Sequence, residues 1–128
     1  MTSELTILTW LAALTTVMWV PYILNMIMVR GLVDAVGYPE NPKPLAAWAT
    51  RAKAAHYNSV ENLVVFAALV LTLNSADISN DTTVLACQIY FWTRFAHYLV
   101  YAAGVPWLRT LTFVASWLCI VTLVVQAI

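Results

Sequence analysis

The stretch RAKAAHYNSVENLVVF, residues 51–66, carries charge and amide groups straight into an apolar run. On a helix turning about 100° per residue, Arg51, Ala54, Ala55, Asn58, Glu61 and Asn62 share a stripe about 120° wide. Lipid cannot solvate that stripe, because an ionised side chain near the bilayer centre costs about 3 kcal/mol on insertion scales. Glu61 and Asn62 must therefore face protein, water or a ligand. The alanines beside them let another helix come close enough to supply partners.

Composition sets the solvent. The chain has 128 residues, 62% hydrophobic and 9% charged, where a soluble domain has about 25% charged residues. Mean hydropathy is +0.80, so an all-α integral membrane protein of one domain is expected. At about 20 apolar residues per crossing the length accommodates four spans, which the apolar runs place at residues 5–29, 45–74, 82–103 and 107–128. Six basic and six acidic residues cancel, which gives no reason to expect nucleic acid as a partner. Cys87 and Cys119 lie inside apolar runs and read as small buried residues rather than a disulfide, and no metal-ligand spacing is present. No basic residue precedes the first apolar run, and that run exceeds a signal-peptide core of about 7–15 residues, so the first helix is expected to be retained.

Thr2-Ser3-Glu4 offers an N-cap for the first span, and Pro21 predicts a bend over 17–21. Gly37, Pro39, Asn41, Pro42 and Pro44 mark a loop, after which the polar first third of the second helix rises above the bilayer. The third span carries a second polar stripe, Tyr90, Arg94, His97, Tyr98 and Tyr101, at helical spacing. Gly104-Val105-Pro106 ends it, and Arg109 and Thr110 open the fourth span. All the lysines and arginines (Arg30, Lys43, Arg51, Lys53, Arg94 and Arg109) fall in or beside the loops joining spans one to two and three to four. The positive-inside rule then places both termini outside and these loops in the cytoplasm. Trp10, Trp48 and Trp107 sit at the expected membrane boundaries, and Trp19, Trp92 and Trp117 read as deeper packing residues.

Both stripes and the start of span four converge on the inner membrane face, bringing together Arg51, Asn58, Glu61, Arg94, His97, Tyr101 and Arg109. Guanidinium forks grip carboxylates, an asparagine both donates and accepts, and a glutamate holds an ammonium group. A small anionic or zwitterionic ligand fits such a set. The alternative is structural: Glu61 neutralised by Arg51 or Arg94, with Arg94 and Asn62 fixing helix register. His97 is open between a hydrogen-bonded core residue and a ligand contact. His56 lies about 140° from Arg51 around the helix, so paired histidine ligation of haem is not expected, nor any metal.

RAKAAHYNSVENLVVFAALVL, then RFAHYLVYAAG, then an arginine opening the last helix, with Pro21-Tyr22 and the Asn41-Pro42 loop, resembles the MAPEG family, the membrane-associated proteins in eicosanoid and glutathione metabolism, and its bacterial members above all. The resemblance implies a homotrimer of left-handed four-helix bundles with glutathione bound as co-substrate between subunits near the cytoplasmic face. It implies that Asn58 and Glu61 contact glutathione, Glu61 through its amino group, with Arg51, Arg30, His97 and Tyr101 lining the site. Arg109 would be the catalytic residue that polarises the thiol, and Thr110 stands where some members have a serine beside it. The sequence departs from the pattern at Ala54 and Tyr57, where arginine is common, at Phe113, which replaces a tyrosine, and in a shorter loop before Arg109.

Two functional classes follow. One is a glutathione-dependent transferase or peroxidase acting on a hydrophobic substrate from the bilayer. The other is a non-catalytic scaffold or lipid-binding relative that keeps the stripes for assembly. A small proton-coupled multidrug transporter is disfavoured, since span one has no carboxylate between Glu4 and Arg30.

Overall fold

The computed structural model describes residues 1–128, and all of its regular structure is helical. Thr2 caps α1 (Ser3–Val17), its side chain accepting from the Leu5 backbone N–H at 3.3 Å. The helix breaks at Met18-Trp19 and resumes as α2 (Val20–Arg30), with Pro21 in the first turn, where a missing N–H leaves no bond unmade. The Tyr98 hydroxyl donates to the Met18 carbonyl at 2.8 Å, tying the break to α5. The helix is thus broken inside the stretch 17–21 where a bend was expected, although Met18 and Trp19 keep helical dihedrals at φ −63° and −73°.

Gly31, at φ +78°, ends α2 and opens the one-turn α3 (Leu32–Val36). After the proline-rich loop comes α4 (Ala47–Ser75), whose 29 residues run about 44 Å and exceed a hydrocarbon core of about 30 Å. A turn through Asp77 leads to Asn80, which caps α5 (Asp81–Ala103) with Thr83 in a reciprocal capping box. Gly104 and Pro106 then separate α5 from α6 (Pro106–Ala127).

Three helical segments are long and apolar enough to cross a membrane: Ser3–Arg30, Ala47–Ser75 and Pro106–Ala127. The helix expected as the third of four spans, α5, has the length but is not among them, because its buried face is polar. The main core lies between α1, α4, α5 and α6, around Leu11, Phe66, Val70, Leu73, Cys87 and Leu123. A smaller cluster joins α2 to α4 through Tyr22, Ala49 and Ala52. There the Tyr22 hydroxyl meets His56 Nδ1 at 2.7 Å and Asn25 Oδ1 accepts from the Ala46 N–H at 3.0 Å.

The outer surface is as apolar as the core, with Val64, Trp92 and Val125 each about two-thirds exposed. This is the surface of a membrane protein, with lipid as the solvent. Trp19, Trp92 and Trp117, expected to pack inside, are all exposed. Trp92, for one, is about 160° around α5 from Tyr90, on the face opposite the core.

Candidate functional site

The buried face of α5 reads Thr83, Cys87, Tyr90, Arg94, His97, steps of four and three that mark a core seam. The stripe predicted for span three is therefore the inward face of this helix. Tyr90 stacks on Phe66 with ring centroids 4.0 Å apart. One turn on, Arg94 is 1% exposed. Its Nη2 donates to Asn58 Oδ1 at 2.6 Å and Ser59 Oγ at 3.2 Å, and its Nη1 to Ser116 Oγ at 3.3 Å. Three buried polar atoms along this seam have no partner: Tyr90 Oη, Arg94 Nε and His97 Nδ1.

The stripe predicted on α4 sits differently. Ala49, Ala52, Ala55, Ser59, Phe66, Val70 and Leu73 are the buried positions, and their mean direction is about 80° around the helix from Arg51. Arg51, Asn58 and Asn62 consequently lie on the flank and are partly buried, and Ala54 and Glu61 are exposed. Glu61 points about 160° away from the core direction. It pairs with neither arginine proposed to neutralise it: Arg94 is bonded to Asn58, Ser59 and Ser116, and Arg51 Nε donates to the Ala102 carbonyl at 3.0 Å.

Where the seams of α5 and α6 run out, polar groups take the positions that core residues hold deeper down. Tyr101 lies two turns beyond Arg94, and Arg109 two turns before the buried Ser116. The Arg109 guanidinium lies 5.1 Å from the Tyr101 ring centroid, and the Tyr101 ring meets His97 edge-on at 5.5 Å. Two adjoining clefts share Tyr101 and Arg109. One, of about 270 Å³, is lined by Asn58, His97, Tyr101, Arg109, Thr110 and Phe113. The other, of about 190 Å³, is lined by Arg51, Tyr101, Gly104, Val105, Pro106 and Arg109. Arg51 reaches it because Gly104 has no side chain; a Cβ there would stand 3.0 Å from the guanidinium carbon.

Six of the predicted site residues thus meet at one end of the fold: Arg51, Asn58, His97, Tyr101, Arg109 and Thr110. Arg30 lies outside both clefts, its Nε donating to the Lys43 carbonyl at 2.7 Å, where it pins the first loop. Asn62 donates to the Asn58 carbonyl at 2.8 Å. Sequence reasoning missed Ser59 and Ser116, the two hydroxyls that hold Arg94; lone serines on helices are common, and only their place in the small-residue stripe Ala52, Ala55, Ser59 marked one of them.

It also missed Glu4, which is 3% exposed. Its carboxylate accepts from Ser79 Oγ at 3.0 Å and from Thr83 Oγ1, and nearby Asn80 donates to Gln126 Oε1 at 3.0 Å. These bonds gather the N-terminus, the turn between α4 and α5, and the C-terminus at the end remote from the clefts.

The clefts present mostly groups able to donate: two guanidinium groups, a phenol, a threonine hydroxyl and a carboxamide, beside the His97 ring. That inventory suits an anionic ligand rich in acceptor oxygens. The fold and this site define an all-helical membrane protein with an anion-suited cleft at one end of its core. The family model described as the MAPEG family matches residues 7–128, and the chain belongs to that family. Comparisons with curated proteins and with solved structures give no match.

Proposed function

We propose that this protein is a glutathione-dependent transferase or peroxidase that works on hydrophobic electrophiles arriving from the bilayer. The observation that carries the reading is the convergence of Arg51, Asn58, His97, Tyr101, Arg109 and Thr110 on two clefts sharing Tyr101 and Arg109. Bound there, glutathione would supply a thiol whose ionised form is the nucleophile. Arg109 favours that form by placing a guanidinium beside the developing charge, in a site poorer in water than bulk solvent. Free thiols titrate near about pH 8.5, so lowering that value by roughly one to two units gives substantial thiolate at neutral pH. Arg51 and Asn58 would hold the peptide's oxygens, and Tyr101 supports Arg109 through its ring.

Four crossings and a homotrimer complete the proposal. Glu61 supports the trimer, because an exposed carboxylate halfway along an apolar helix needs a partner from outside this chain, and the 23-residue length of α5 supports the fourth crossing. A neighbouring copy would turn the flank of α4 into one wall of a shared site, with Glu61 receiving the ligand's ammonium group. In this arrangement both termini lie outside and the basic loops face the cytoplasm.

A non-catalytic scaffold is the second reading. It is favoured by Ala54 and Tyr57, which leave the exposed side of α4 without the arginines common in the family. Each lost pairing of guanidinium with carboxylate removes roughly 1.5–3 kcal/mol, or about one to two decades of affinity. Calorimetry of glutathione with the detergent-solubilised protein separates the two. The enzyme reading expects millimolar or tighter binding that is lost in both Arg109→Ala and Glu61→Ala, with assembly intact in Arg109→Ala. Silence from assembled wild-type protein at about 10 mM, where binding would be weaker than about 3 kcal/mol, would give the fold to the scaffold reading.

A further inference from the structure

Asn58 has a carboxamide with two unlike ends, and its surroundings treat them differently. A guanidinium can only donate, so the Asn58 atom 2.6 Å from Arg94 Nη2 must be the oxygen. Asn62 Nδ2 adds a weaker contact to the same oxygen at 3.4 Å. With its acceptor turned into the bundle, Asn58 has only its NH2 left for the 270 Å³ cleft it lines. Arg94 is itself fixed from two other helices' serines, Ser59 on α4 and Ser116 on α6, and no carboxylate meets it. A buried cation without a counter-charge is costly. In return it polarises the amide it holds, which strengthens that amide as a donor.

We propose that Arg94 is the positioning residue of the cleft, locking the Asn58 carboxamide so that the site accepts a carboxylate or amide carbonyl of the ligand at that point and rejects a donor. The ligand's name rests on the glutathione reading above; the orientation of Asn58 rests on the chain alone. Arg94 touches no ligand in this scheme and acts through Asn58.

The test has a ligand-free arm and a binding arm. In protein labelled with 15N-asparagine, the Asn58 side-chain NH2 pair is the one missing from Asn58→Ala. Arg94→Met should shift that pair and leave the pair of Asn80, at the far end of α5, in place; Arg94→Lys should return it part of the way. An Asn58 pair unmoved in Arg94→Met overturns the proposal whether or not glutathione binds. In the binding arm, Arg94→Met should weaken glutathione about tenfold, the worth of one good hydrogen bond. In an Asn58→Ala background the same change should do nothing more, because the two residues act as one unit. Equal losses in both backgrounds would make Arg94 a merely structural residue and overturn the proposal.

Should Arg94→Met fail to fold, Asn58→Asp decides, since it leaves Arg94 in place. It gives Arg94 a carboxylate partner, so the protein should remain assembled and at least as heat-stable. It also presents an acceptor where the ligand needs a donor, so affinity should fall tenfold or more, and unchanged affinity overturns the proposal. Absence of glutathione binding by the wild type would refute the glutathione reading alone, with the amide resonances still deciding the role of Arg94.

Discussion

Tyr90 shows how single polar groups behave in this bundle. Its ring is stacked on Phe66 at an interplanar angle of 4°, and its hydroxyl is buried without a partner. A buried hydroxyl without a hydrogen bond is a standing cost, and deleting it leaves no other group stranded. Tyr90→Phe is therefore expected to leave stability unchanged or raise it by up to about 1 kcal/mol, read as thermal unfolding in detergent. A fall of several degrees would instead mean that an internal water bridges Tyr90 to Arg94 or His97 and belongs to the core. Glu4 is the contrasting case: it looked like a helix-start carboxylate in the sequence, but the fold uses it as the acceptor for two hydroxyls 75 and 79 positions away. No local pattern could announce those partners.

Helices here are legible by spacing and illegible by direction. Periodicity grouped Tyr90, Arg94, His97, Tyr98 and Tyr101 on α5, where the first three are buried and the two tyrosines partly buried; its α4 stripe divides, with Ala55 buried, Arg51, Asn58 and Asn62 partly buried, and Ala54 and Glu61 exposed. It did not show that the first face points into the core and the second along its edge. In water the apolar side of a helix faces inward; in lipid both sides are apolar, and burial goes instead to whichever face carries the small residues and the few groups that can pair. On α4 that face is Ala52, Ala55 and Ser59. The turn between α5 and α6 was legible from Gly104 and Pro106, but the use of Gly104 was not. At φ +80° it occupies a backbone conformation that L residues adopt at a cost, and its missing side chain makes room for Arg51, which bonds the last turn of α5. Gly104→Ala is expected to cost about 1–2 kcal/mol from backbone strain alone, lowering the unfolding temperature by several degrees. Because it also crowds Arg51, it should weaken anion binding in the cleft. An alanine variant as stable as wild type, with unchanged affinity, would show that the turn and Arg51 move freely together.

For the whole molecule the unresolved account is electrical. Arg94 lies in the core with only neutral partners, and Glu61 lies on the outside with none in the chain. If the outer face of α4 met only lipid, Glu61 would carry an insertion penalty of about 3 kcal/mol, and Glu61→Leu would return it as added stability. If α4 instead forms the wall between copies, the same substitution removes a group that a neighbour or a ligand uses, and the leucine takes the place of a satisfied carboxylate. The trimer reading therefore expects wild-type protein in mild detergent to sediment at three times the 14.3 kDa chain mass. It expects Glu61→Leu to unfold at the same temperature or lower, and to bind glutathione at least tenfold more weakly. A monomeric wild type made markedly more heat-stable by Glu61→Leu would assign this face to lipid. The carboxylate would then lie outside any site, and the clefts beside Arg109 would have to hold their ligand within a single chain.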